Sequence, residues 1–184
     1  MNTARILQQE KEAPYPQTLL RPCRAITGIS AILLPYNNNN SVDWASFERT
    51  LEHTVSAGLI PAVNMDTGYA SLIDEATRLE VLQRTSAVTS GLEFVAGVFV
   101  GDSPGQKFDA DAYRHGITET EAASGTPILF QSFGLSELQE DEVAPAYESV
   151  TLSCDQFLFF QLGKAFAPFG RTYSLDTYAQ RLHT

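Results

Sequence analysis

From Ile26 onward the hydrophobic pattern of the chain keeps changing period. Short, mostly apolar runs give way to longer stretches in which apolar residues recur three and four positions apart, and then return. No other feature constrains the fold as much. A short apolar run suits a strand covered on both faces, whereas a 3.6-residue period suits a helix with one buried face. The runs span residues 26–34, 59–65, 94–100, 128–130 and 157–162. Between the first two, the turn at residues 35–40 leads to Asp43, which can cap a helix through Trp44, Phe47, Leu51, Thr54 and Val55 that stops at Gly58. Asp74 opens a second helix with Leu79, Leu82 and Val88 on its apolar face, ending at Gly91. The third covers residues 110–123, the fourth residues 141–150, and Ser174 begins the opening of a fifth.

Five strand-then-helix units in succession predict an α/β fold with a parallel sheet and right-handed crossovers, either an open doubly wound sheet or a (β/α)8 barrel. No G-x-G-x-x-G follows the first strand and no G-x-x-x-x-G-K-[ST] occurs, which argues against a nucleotide-binding open sheet. At 184 residues the chain can bury one ordinary core. Its division is a polar N-terminal arm, residues 1–25, and one βα-repeat domain, residues 26–184.

A net charge of -10 repels phosphate backbones and anionic lipid surfaces, so neither nucleic acid nor membrane is expected as a partner. No stretch approaches the roughly 20 apolar residues of a membrane-spanning helix, and residues 1–16 lack the apolar centre of a secretory signal. Cys23 and Cys154 have no C-x-x-C spacing, so a reducing, cytoplasmic setting is expected. His53, His115 and His183 show neither H-x-H nor H-x-x-x-H spacing; no metal centre and no cofactor are expected. The absence of G-x-S-x-G leaves no nucleophile elbow for a hydrolase.

Particular residues decide between sheet and barrel. The opening Gly28-Ile29-Ser30-Ala31-Ile32-Leu33-Leu34-Pro35-Tyr36, then Ser41-Val42-Asp43-Trp44 and Ala57-Gly58, resembles the first strand, turn and helix of the dihydrodipicolinate synthase / N-acetylneuraminate lyase family. Met65-Asp66-Thr67-Gly68-Tyr69 with Ser71-Leu72-Ile73-Asp74-Glu75 is similar to that family's Gly-Thr-Thr-Gly-Glu loop and the start of its second helix. Ala96-Gly97-Val98 resembles the third strand, and residues 157–162 with Gly170-Arg171-Thr172 resemble the fifth strand and its Gly-Arg-Thr. The likeness runs from about Ile26 to the end and is weakest at the fourth strand. It implies a partial (β/α)8 barrel of about five units, the N-terminal five-eighths of a divergent member.

The resemblance further implies a Schiff-base lyase or synthase acting on pyruvate or a related 2-keto acid, in a homo-oligomer. In that family a lysine on the sixth strand condenses with the keto group, and the iminium draws electrons from the neighbouring carbon. Five strands are used by residue 184, so the strand that should carry this lysine is expected to be missing. Carried over, Thr67 and Gly68 would hold the substrate carboxylate by hydroxyl and free backbone N–H, and Arg171 would offer a bidentate fork to the carboxylate of the second substrate or order the tyrosine. Asp66 replaces the family's first threonine and puts an anion where that carboxylate should bind. Phe160 aligns with the relay tyrosine but has lost the hydroxyl, while Tyr69 and Tyr173 lie in flanking loops that could supply a phenol.

Of the lysines present, Lys11 lies in the polar arm and Lys107 in a Gly/Asp/Pro loop. Lys164 follows the fifth strand in an aromatic stretch and is an alternative nucleophile if desolvation depresses its pKa. The bland readings are that Thr67 merely caps its turn and that Arg171 and Lys164 are solvated charges. The competing function is a non-catalytic barrel remnant or assembly subunit that binds a carboxylate ligand or a partner protein.

Overall fold

The structure, a computed structural model, describes residues 23–152 and 154–177. Most of the predicted arm, with Lys11, and His183 at the other end fall outside the described residues. Five parallel strands lie side by side in chain order: β1 Ile29–Ala31, β2 Ile60–Val63, β3 Val95–Val98, β4 Thr126–Phe130 and β5 Leu158–Phe160. The intervening helices are α1 Trp44–Ser56, α2 Glu75–Thr89, α3 Ala110–Ala122, α4 Phe133–Ser136 and α5 Glu140–Thr151. This is a curled half-barrel, as the sequence-order pairing of strand-helix units requires.

Four of the five sequence-predicted runs contain their strand and are trimmed by pairing, whereas β4 begins two residues before its predicted run at 128–130. Ladder bonds need a neighbour, and Ile26 to Gly28 precede the first paired residue, Ile29 opposite Ile60. Two helix starts match the predicted ones, Asp43 and Asp74, and Asp109 adds a third aspartate cap. The Asp43, Asp74 and Asp109 carboxylates accept the backbone N–H of Ser46, Thr77 and Ala112 at 3.0, 2.7 and 3.0 Å. Each cap satisfies a donor that the first helical turn leaves without an intrahelical partner. Of the predicted final helix from Ser174, residues 175–177 are helical and the remainder lies outside the described residues.

Register divides the core into two layers. Ala31, Ala62 and Val95 pair across the sheet, as do Gly97, Ile128 and Leu158, then Phe130 and Phe160. These positions face the barrel interior, where Ala62, Val95, Ile128, Phe130 and Leu162 form one cluster. The alternate positions face the helices: Ile32, Val63 and Ala96 join α1 and α2, while Val98 and Leu129 join α3 and α5. Because side chains alternate along a strand, one register serves both layers.

Gly97 marks the tightest point of the interior, where a Cβ would lie 2.1 Å from the Asn64 carbonyl oxygen and 2.7 Å from the Phe130 ring. Only a residue without a side chain lets β2, β3 and β4 close to this distance.

Candidate functional site

β2 ends in a single 3-10 turn, Asp66–Gly68, that leads toward α2. Asp66 borders a cavity of about 100 Å3 at the carboxyl ends of the strands, walled by Phe99, Phe130, Leu162, Phe166 and Phe169. Parallel barrels assemble their sites at this face, because the loops that follow the strands converge there. The wall is aromatic for a structural reason. Phe130 and Phe160 are register partners whose rings meet edge to face at 5.4 Å, and Phe99 meets Phe169 at 5.7 Å.

The expected carboxylate cradle is built differently. The Gly68 and Tyr69 amides, expected to be free, donate to the Met65 and Asp66 carbonyls at 3.0 Å each, because the chain closes into a 3-10 turn. Thr67 is exposed on that turn. Tyr69 is also exposed, at φ 62°, with its ring 6.0 Å from that of Tyr36.

Arg171 is engaged elsewhere. Its guanidinium donates to the Ser136 and Leu138 carbonyls at 3.0 and 2.5 Å and to the Glu140 carboxylate at 2.5 Å. It thereby joins the end of α4 to the start of α5, leaving no open fork for a ligand in this conformation. Gln131, fully buried, holds the backbone of Arg171: its Oε1 accepts Arg171 N–H and Leu162 N–H at 3.1 Å each, and its Nε2 donates to the Arg171 carbonyl at 2.7 Å. Tyr173 belongs to the helix-side cluster, where burial pushes its phenol up, and it does not reach the interior.

Lys164 is exposed on the turn after β5. Phe160 packs against the interior cluster, in line with the aligned tyrosine position but with a purely apolar side chain. Asp66, itself exposed, borders the cavity, and Phe160 packs against the interior cluster beside Phe130; Thr67, Lys164 and Arg171 are not in the cavity lining.

Sequence reasoning missed α4 and Gln131. The helix is short, and Asp102, 31 residues before Phe133, receives the Phe133 and Gly134 amides at 2.8 and 2.7 Å. The Asp102 contact has no local sequence signature, but the N-cap does: the Ser132 hydroxyl accepts the Leu135 N–H at 3.2 Å. It also missed a second, larger cavity of about 410 Å3 between α2 and α3, outside the barrel interior.

The fold and its site face define a class: the front five units of a (β/α)8 barrel with a cavity at the carboxyl ends of its strands. Among solved structures the chain is similar to the 4-hydroxy-tetrahydrodipicolinate synthase of Methylacidiphilum fumariolicum SolV, with TM-score 0.68, 16% identity, and coverage of 86% of this chain and 51% of that one. Dihydrodipicolinate synthase from Bacillus clausii gives TM-score 0.65 and 15% identity over 83% of this chain and 48% of that one. N-acetylneuraminate lyase from Mycoplasma synoviae gives 0.63 and 12% over 85% and 51%. The likeness seen in the sequence thus holds for the fold, and the chain spans about half the length of these structures. No protein-family model and no curated protein matches the sequence. Among the described residues, no helix is long and apolar enough to cross a membrane.

Proposed function

We propose that the chain provides the front five units of a Schiff-base lyase or synthase acting on a 2-keto acid, with the substrate entering the aromatic-walled cavity beside Asp66. The observation that carries this reading is the position of Asp66 on a cavity at the carboxyl ends of the strands, in a fold shared with dihydrodipicolinate synthases. The aromatic walls exclude water from a condensing carbonyl and favour a 2-keto acid with an apolar substituent. Asp66 offers an acceptor for the proton that a carbinolamine must move before it dehydrates, a role that Phe160 cannot fill. The amine comes from a unit beyond β5, since Lys107 and Lys164 lie in loops outside the aromatic wall.

Two measurements test this. Pyruvate and bulkier 2-keto acids should shift the amide resonances of residues 66–71 and 162–169 saturably. Asp66→Asn should tighten that binding about fivefold by removing a like charge worth about 1 kcal/mol in water-like surroundings. Absence of saturable shifts overturns the reading. Borohydride reduction of the chain with pyruvate should leave no stoichiometric adduct; one on Lys164 would make that residue the nucleophile instead. A second reading, a non-catalytic segment that holds a carboxylate ligand or a partner protein, is favoured by Phe160 and by the engaged Arg171 fork.

A further inference from the structure

The cavity of about 410 Å3 lies in the layer between helices and sheet, and its walls come from α2, α3 and the end of β3. The lining includes Lys107, and three of its other charged residues are held by structural partners. Arg78 donates to the Ala70 and Ile73 carbonyls, Asp102 caps α4, and Asp109 caps α3. Two features of the lining remain without such an explanation.

The first is a group of three side chains. His115 and Glu119 stand four residues apart on α3 and so share a face. Glu75, the first residue of α2, approaches from the other helix. The His115 Nε2 atom is 3.3 Å from Glu75 Oε1 and 3.4 Å from Glu119 Oε1. The three donor atoms all lie within 4.8 Å of one another. An imidazole nitrogen bears at most one hydrogen, and a charge-assisted bond to a carboxylate closes to about 2.7–2.9 Å. Two longer, nearly equal contacts to one nitrogen match instead the edges of a coordination tetrahedron. With metal–ligand bonds of about 2.0–2.2 Å, those edges are roughly 3.3–3.6 Å.

The second feature is Asn64, which lines the same cavity and is only 4% exposed. Its Nδ2 donates to the Arg78 carbonyl at 3.1 Å, while its Oδ1 has no hydrogen-bond partner. Asn64 thus leaves a buried acceptor without a donor in the wall of the cavity.

We propose that Glu75, His115 and Glu119 form a binding site for a divalent cation of the zinc class at the α2–α3 cavity. One imidazole and two carboxylates suit zinc, and two negative charges balance the ion. Three protein ligands leave a fourth position for water or a small ligand. The site lies outside the barrel interior and is independent of the 2-keto-acid reading. Sequence inspection for paired histidines passed over it because the spacing is H-x-x-x-E and the third residue is 40 positions away in sequence.

Zinc titration of the chelator-treated 184-residue chain, by calorimetry or against a chromophoric chelator, tests the proposal. One equivalent should bind, and His115→Ala and Glu75→Gln should each weaken binding by on the order of a hundredfold, at least what loss of a supporting contact costs. His53→Ala, on α1, should leave binding unchanged. Circular dichroism separates ligand loss from unfolding, and Glu119→Asp, which keeps the donor on a shorter arm, gives a second variant if His115→Ala does not fold. No binding, or stoichiometric binding indifferent to both Glu75→Gln and His115→Ala, overturns the proposal.

Discussion

Arg171 shows how a residue singled out for its chemistry can take a structural role. Its guanidinium bridges α4 and α5 through two carbonyls and the Glu140 carboxylate, with 27% of its side chain exposed. Hydrogen bonds that involve a charged group contribute about 1.5–3 kcal/mol each when well shielded, and partial exposure reduces that. Arg171→Ala should therefore lower stability by about 2 kcal/mol in urea unfolding. Binding of 2-keto acid should be unaffected; a selective loss of binding at unchanged stability would restore the carboxylate role. Glu140 completes the joint, accepting from Arg171, Ser174 and Thr177. The Thr177 hydroxyl above all, with Arg171 and Ser174, holds its carboxyl below the ordinary glutamate value. Because the folded-state value is depressed, the associated stability is present above the unfolded value near 4.5 and lost as pH falls through the folded one. Unfolding curves between about pH 5 and pH 3 should thus fall less steeply for Glu140→Gln than for the unaltered chain.

At the scale of elements, caps and close approaches separate what is local from what is not. The three aspartate caps are readable from sequence, since each stands just before a periodic apolar stretch. Asp74→Ala should cost about 1 kcal/mol, measurable as a shifted thermal midpoint. Gly97 gives no such local sign: its neighbours at 2.1 and 2.7 Å come from β2 and β4. Gly97→Ala should cost about 3 kcal/mol, because a carbonyl oxygen cannot yield as a flexible side chain can. A variant as stable as the unaltered chain would show that β2 and β4 move apart without cost.

Across the whole molecule, the inner face of β1 is the exposed one. Ile32 and Leu34 are buried against helices, whereas Ile29 and Leu33, on the interior side, are 49% and 61% exposed. At the opposite edge Leu158 is 36% exposed. Among the described residues β1 pairs only with β2, and β5 only with β4. An uncovered apolar interior between two free strand edges favours pairing with another surface. The 184-residue chain taken alone should therefore self-associate at micromolar concentration in light scattering, and Leu33→Lys should reduce the association. A stable monomer would mean that residues outside the described set cover this face.

The sequence by itself determined the order and kind of nearly every element, because strand and helix periods, aspartate caps and stopping glycines act within one unit. Only the tertiary structure decided that Arg171 is bound to Glu140, that Gln131 holds the loop after β5, and that Lys164 stays in solvent. It alone brought Glu75 to His115. The reason is physical: hydrogen-bond partners 30 to 40 residues apart meet only when strands pair in register and helices pack. No periodicity along the chain records that distance.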